Sequence, residues 1–207
     1  MQVYNIPTGA IGTNTYLVYD EDTSKGFLVD PGAYSSGISE KIKEMGIDLQ
    51  YIILTHGHAD HIMGVEGFRN DFPELKVIAH SEEKEMLGDS YLNMSRDFGK
   101  QVTLDADIYV EDDQEMSVGG INLKFLFTPG HSPGGMCIYI ADENTLFSGD
   151  TLFQGSIGRT DFPGCSFPAL EKAVHEKLWP LPDETQVFPG HMGPTNIGYE
   201  KGHNPFV

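Results

Sequence analysis

The sequence predicts an α/β domain whose sheets are covered by helices, and three observations carry that reading. Short β-rich runs such as Tyr51-Ile52-Ile53-Leu54 alternate with helical stretches along the chain. The polar residues of chemical interest fall in Gly/Pro-rich loops directly after those runs, where a scaffold presents functional groups at a sheet edge. A length of 207 residues, 39% hydrophobic and 21% charged, suits one globular domain over 1–207 with a core that needs no disulfide staples.

The elements follow in order. Tyr16 to Tyr19 and Gly26 to Asp30 read as strands around the turn-like Asp20-Glu21-Asp22-Thr23-Ser24. Ser39 to Met45 reads as a helix closed by Gly46. The apolar run ending at Leu54 reads as a buried strand, and a helix is expected from about Ile62 to Phe72. Leu75 to Ala79 is a further strand. Ser81 to Leu87 reads as a short helix with Ser81 as N-cap and Glu82 and Glu83 as first-turn acids facing the helix dipole. Residues 88 to 107 form an irregular excursion. Ile121 to Thr128 is a strand, Met136 to Ala141 and Thr145 to Ser148 a hairpin, Pro168 to Leu178 a helix, and Gln186 to Phe188 a last strand.

Charge narrows the partners. A formal net charge of -18 repels phosphate backbones and anionic lipid surfaces, so neither nucleic acid nor membrane is expected. A small anionic substrate stays open, because bound cations reverse the local field. Two cysteines, Cys137 and Cys165, are too few for a disulfide framework. Cys137 reads as a buried strand residue. Cys165 falls near a helix start, where a thiol pKa can drop. Without a leader-like N-terminus or a membrane-length apolar run, a cytoplasmic location is expected.

His56-Gly57-His58-Ala59-Asp60-His61 places four potential metal ligands in six residues. Three later loops add to them. Thr128-Pro129-Gly130-His131, Ser148-Gly149-Asp150 and Pro189-Gly190-His191 each set a histidine or aspartate behind a glycine, which lets the backbone turn sharply and approach an ion. Seven ligands suit two divalent ions with water in the open positions. Zinc is favoured, and iron or manganese suits the same donors. His56, His58 and His131 are expected on the first ion, Asp60, His61 and His191 on the second, and Asp150 between them. A closed structural zinc site would use four ligands, often cysteines, and fits poorly. His80, His175 and His203 read as ordinary packed or surface residues. Ser81-x-x-Lys84 matches a serine-hydrolase motif, but a helix cap explains it fully.

With these residues in place, the chain resembles the metallo-β-lactamase superfamily. The matching residues are Asp30, Thr55-His56-Gly57-His58-Ala59-Asp60-His61, His131, Asp150 and His191, in that order. The resemblance implies an αββα sandwich with the metals at one edge. Within the superfamily the chain looks closest to the short, single-domain glyoxalase II (hydroxyacylglutathione hydrolase) subgroup, through Gly149-Asp150-Thr151-Leu152-Phe153 and Ser156 to Gly164. It departs from full-length glyoxalase II in ending soon after His191, without the helical domain that helps hold glutathione. It also carries Arg159 and Asp161 near positions where those enzymes have a lysine and a tyrosine. Arg159 suits a substrate carboxylate; its plain alternative is a salt bridge to Asp161. An aspartate at 150 speaks against the common penicillin-cleaving enzymes of the superfamily.

The resemblance implies hydrolysis of a small acyl thioester by a metal-bridging hydroxide, with Asp60 orienting it and Asp30 and Thr55 holding the ligand loop from behind. The leading rival is a persulfide dioxygenase of the same superfamily using one iron on His56, His131 and Asp150. A lactonase or phosphodiesterase, and a metal-binding partner protein without catalysis, are further rivals.

Overall fold

The computed structural model describes residues 1–207. One sheet holds six strands in sequence order, β1 (Gln2–Thr8), β2 (Thr13–Tyr19), β3 (Lys25–Val29), β4 (Asp48–Ile53), β5 (Lys76–His80) and β6 (Ile108–Val110). The first three pair antiparallel; β3 to β6 are parallel, joined by crossovers that carry helices. The second sheet runs in the order β14-β13-β10-β9-β8-β7, where β7 is Glu115–Val118, β8 Ile121–Phe127, β9 Met136–Ile140, β10 Thr145–Gly149, β13 Gln186–Pro189 and β14 Thr195–Asn196. A two-stranded ribbon, β11 (Leu152–Phe153) and β12 (Ser156–Ile157), follows β10.

The strands alternate between two cores, which stacks the layers. Leu17, Leu28 and Ile52 face outward onto helices α1 (Ser36–Glu44) and α3 (Val65–Asp71), meeting Ile38, Ile42, Val65 and Phe68. Their neighbours Val18, Phe27, Val29 and Ile53 face inward and pack on Phe125, Ile138 and Phe147 of the second sheet. That sheet in turn sends Leu126, Cys137, Leu146 and Val187 outward onto Val174, Leu178 and Ile197. The contacts come from the π-helical turn Val174–Leu178, which extends α5 (Phe167–Ala173), and from α6 (Ile197–His203). Period-two alternation within strands buried on both faces is what an αββα sandwich requires. No helix is long and apolar enough to cross a membrane.

Three expectations need correcting. The chain opens with β1, which the sequence reading passed over, and β2 starts at Thr13. The helix expected from Ile62 splits into α2 (Ala59–Ile62) and α3, with Gly64 between them donating its N–H to the Pro31 carbonyl. Ser81 does not cap the next helix. A 3-10 turn, Ser81–Glu83, leads into α4 (Lys84–Gly88), and the cap is His80, whose Nδ1 accepts the Glu82 N–H. Glu83 is fully buried and faces away from solvent.

Candidate metal centre

Strand direction gathers the site. β3 and β4 are parallel and release Asp30 and Thr55-His56 at one end of the first sheet. β10 and β13 are parallel and release Asp150 and His191, and β8 runs the same way toward His131. All these loops therefore leave at one edge of the sandwich, drawn from both sheets. Backbone bonds hold the loops together: Asn14 N–H donates to Gly190 O at 2.8 Å, Gly190 N–H to Gly149 O at 2.8 Å, and Met136 N–H to Thr55 O at 2.9 Å. Two glycines are required by space. At Gly149, with φ 49°, a Cβ would collide with the Thr55 side chain; at Gly190 it would collide with Asp150 Oδ1.

The ligand-type atoms form two triads. Those of His56, His58 and His131 lie within 4.8 Å of one another, as do those of Asp60, His61 and His191. Asp150 sits between them, with Oδ1 3.4 Å from His61 Nε2 and Oδ2 3.4 Å from His131 Nε2. The residues assigned to each ion from the sequence thus lie together. Asp30, His56 and His61 also approach within 4.8 Å. Asp30, however, spends its oxygens on Thr55 N–H at 2.7 Å, Thr55 Oγ1 at 2.6 Å and His61 Nδ1 at 3.0 Å. That network suits orientation of His61 and of the loop at Thr55 rather than direct ligation.

The remaining orienting contacts fix ring direction. His131 Nδ1 bonds the Arg159 carbonyl at 2.8 Å, which points Nε2 inward, and the His56 Nδ1 edge meets Thr55 Oγ1 at 3.1 Å. His58 Nδ1 and His131 Nε2 are 2.9 Å apart. Asp60 Oδ2 collects Thr13 Oγ1 at 3.0 Å and His191 Nε2 at 3.1 Å.

Electrostatics differ across the site. Burial holds His56 and His131 below the usual histidine range and pushes His58 down to about 3, so all three are neutral and keep a lone pair. Burial alone would lower His61 too, but the charges of Asp60, Asp150 and Asp30 outweigh it and hold the ring well above its ordinary value. His191 is raised in the same way, chiefly by Asp60. Asp60 is held well below the carboxylate range because His61 and His191 overcome its burial.

Four buried atoms test whether cations belong here. His56 Nε2, His58 Nε2, His61 Nε2 and Asp150 Oδ1 have no hydrogen-bond partner. His61 Nε2 lies 3.2 Å from Asp60 Oδ2, yet outside hydrogen-bond geometry. Each orphaned buried polar atom costs about 1–3 kcal/mol, and four converging orphans of ligand type fit cations. Imidazole and carboxylate donors suit divalent zinc, iron or manganese.

Sequence reasoning missed several supporting residues. Thr13 holds Asp60, and Asn14 holds the His191 loop through Nδ2 bonds to Pro189 O at 3.0 Å and Met192 O at 2.9 Å. Glu83 joins two ligand loops: Oε1 accepts the Gly57 N–H at 2.7 Å, while Oε2 accepts the Gly134 N–H at 2.5 Å and the Ser132 hydroxyl at 3.1 Å. Burial pushes its carboxyl up to about 7. Cys165 shows none of the lowering that a helix start can bring, since burial raises its thiol pKa and its Sγ donates to the His131 carbonyl. The Arg159 fork is engaged by Asp161 at 2.7 and 2.8 Å. His80 stacks on Phe127 and lies outside both triads.

A two-sheet sandwich with paired His/Asp triads at one edge defines a protein built to hold metal ions. Residues 8–191 match the family model described as the metallo-beta-lactamase superfamily. The chain belongs to that superfamily of metal-dependent hydrolases. It is 40% identical over 209 residues to "Probable metallo-hydrolase YqgX" of Bacillus subtilis, covering 100% of this chain and 98% of that one. It is 31% identical over 211 residues to "Hydroxyacylglutathione hydrolase GloC" of Haemophilus influenzae, covering 100% and 98%. Among solved structures, BLEG-1 B3 metallo-beta-lactamase superposes with a TM-score of 0.92 at 38% identity, over 99% of each chain. TTHA1623 in a di-iron-bound form superposes with a TM-score of 0.86 at 32% identity, over 99% of this chain and 100% of that one.

Proposed function

We propose that this chain is a binuclear hydrolase of small acyl thioesters, of the hydroxyacylglutathione hydrolase kind. The observation that carries the reading is the pair of triads with Asp150 between them, opening on a cavity of about 470 Å³. His56, His58 and His131 would hold one ion, Asp60, His61 and His191 the other, and Asp150 would serve both. Zinc is the first candidate, and a relative of di-iron form keeps iron in view. When bound, the ions lower the pKa of a coordinated water toward neutrality and polarise a carbonyl.

The chain's own groups do the rest. Asp60, ionised and fixed by Thr13 and His191, accepts a hydrogen bond from the attacking oxygen and orients it. Addition at the carbonyl carbon gives a tetrahedral oxyanion, and its collapse breaks the C–S bond. The thiolate leaves with little need of protonation, so no dedicated general acid is required. Asp30 holds His61 from behind, and Thr55 links Asp30 to His56.

The test is thiol release by metal-quantified protein, using S-lactoylglutathione and simpler thioesters. Oxygen uptake with glutathione persulfide and cleavage of a chromogenic cephalosporin run in parallel. Thioester turnover that disappears on rigorous chelation supports the reading. Persulfide-dependent oxygen consumption or β-lactam cleavage without thioester turnover overturns it, as does full thioesterase activity after chelation.

A further inference from the structure

Resting on the thioesterase reading, the chemistry of the cavity wall narrows which thioester enters. The cavity floor is His58, Asp60, His131, Asp150 and His191, and Ile11, Met94, Phe98, Phe153, Phe162 and Met192 line the walls. No lysine lines it, and Arg159 is its single permanent cation. That cation is already engaged. Its Nε and Nη2 bond both oxygens of Asp161 at 2.7 and 2.8 Å, a bidentate fit of planar fork to carboxylate. Its guanidinium carbon lies 3.7 Å from the centre of the Phe162 ring, so the flat face is covered as well. Arg159 also lends its carbonyl to His131, which ties the backbone at this point to the ligand set.

An exposed ion pair is weak by itself. Here the fork, the ring face and the backbone bond act on one residue, and a substrate carboxylate would have to displace a partner already in place. Glutathione brings two carboxylates and one ammonium, hence a net negative charge, and the wall's one permanent cation is already paired with Asp161. An apolar acyl chain meets these six apolar side chains and a seventh, Ile157, instead.

We propose that the preferred substrate is a thioester with an apolar acyl group and little charge, and that Asp161 is a specificity-determining residue that keeps Arg159 from carboxylate recognition.

The experiment measures kcat/KM of the metal-loaded protein on three substrates: S-hexanoyl-N-acetylcysteamine, S-acetyl-N-acetylcysteamine and S-lactoylglutathione. The hexanoyl compound is expected to exceed the acetyl one at least tenfold, and to exceed lactoylglutathione. Asp161→Asn is expected to lower KM for lactoylglutathione and to shrink the hexanoyl-to-lactoylglutathione preference at least fivefold. The double variant R159Q/D161N is expected to reverse that gain. Lactoylglutathione as the best of the three, or an unchanged preference in Asp161→Asn, overturns the inference and leaves the thioesterase reading standing. No turnover of any of the three overturns both.

Discussion

The two halves of the metal centre are built on opposite electrostatic plans. The His56, His58 and His131 triad is made of neutral rings, all buried, whose charged forms are suppressed by burial. The Asp60, His61 and His191 triad sits among three carboxylates, Asp30, Asp60 and Asp150, whose charges raise the pKa of both its histidines against their burial. The first half offers lone pairs with no charge to balance. The second holds excess negative charge that a proton or a cation must answer. Each half therefore draws a cation for a different reason, and the two are separable by mutation.

Asp60→Asn is the strongest way to break that contrast. It removes the charge at the centre of the acidic half while keeping size, and a fall of about a hundredfold or more in kcat is expected with the fold retained. Circular dichroism and steady-state kinetics decide it; near-normal turnover would remove Asp60 from its assigned role.

Glu83→Gln probes the neutral half from outside. The amide places an N–H₂ against backbone N–H groups at Gly57 or Gly134, so the His56–His58 loop and the His131 loop lose a shared acceptor. Affinity for an ion at that triad is expected to fall about tenfold or more, read by zinc titration, with smaller loss at the acidic triad. Equal loss at both would show that Glu83 stabilises the fold generally rather than one half.

The same residue sets a pH dependence in metal-free protein. Burial lifts its pKa from the ordinary 4.5 to about 7, so ionising it costs the folded state more than the unfolded chain. Its contribution is complete below pH 4.5 and is lost as pH rises through 7, about 3 kcal/mol in all. Chemical denaturation of metal-free wild type and Glu83→Gln across that window is expected to diverge by this order. Parallel curves would place the carboxyl's titration elsewhere.

Thr13→Val is the mildest probe. It deletes one hydroxyl bond to Asp60 Oδ2, leaving the bond from His191. A drop of about two- to fivefold in kcat is expected. A loss as large as that of Asp60→Asn would make Thr13 a principal anchor of the acidic half.

The seven ligand-type residues were legible because each follows an apolar run and most follow a glycine, and the structure brings them together at one edge. The strands buried on both faces were legible for the same reason: continuous apolar runs leave little ambiguity. What the sequence hid depends on approach between distant segments. Thr13 and Asn14 look like ordinary polar residues ahead of a strand, and only the closing of β2 onto the His191 loop gives them a role. Glu83 matched a first-turn helix acid so well that its burial left no trace, since an identical pattern serves an exposed helix start. β1 was missed because its burial is partial and broken by Pro7.

The ligand loops come from both sheets, with His56 to His61 on the first and His131, Asp150 and His191 on the second. Cations held there would act as rivets across the seam between the chain's two halves. Neither half carries a complete donor set, so ion capture would report that the halves had docked, and stripping the ions would loosen the sandwich first along this one edge.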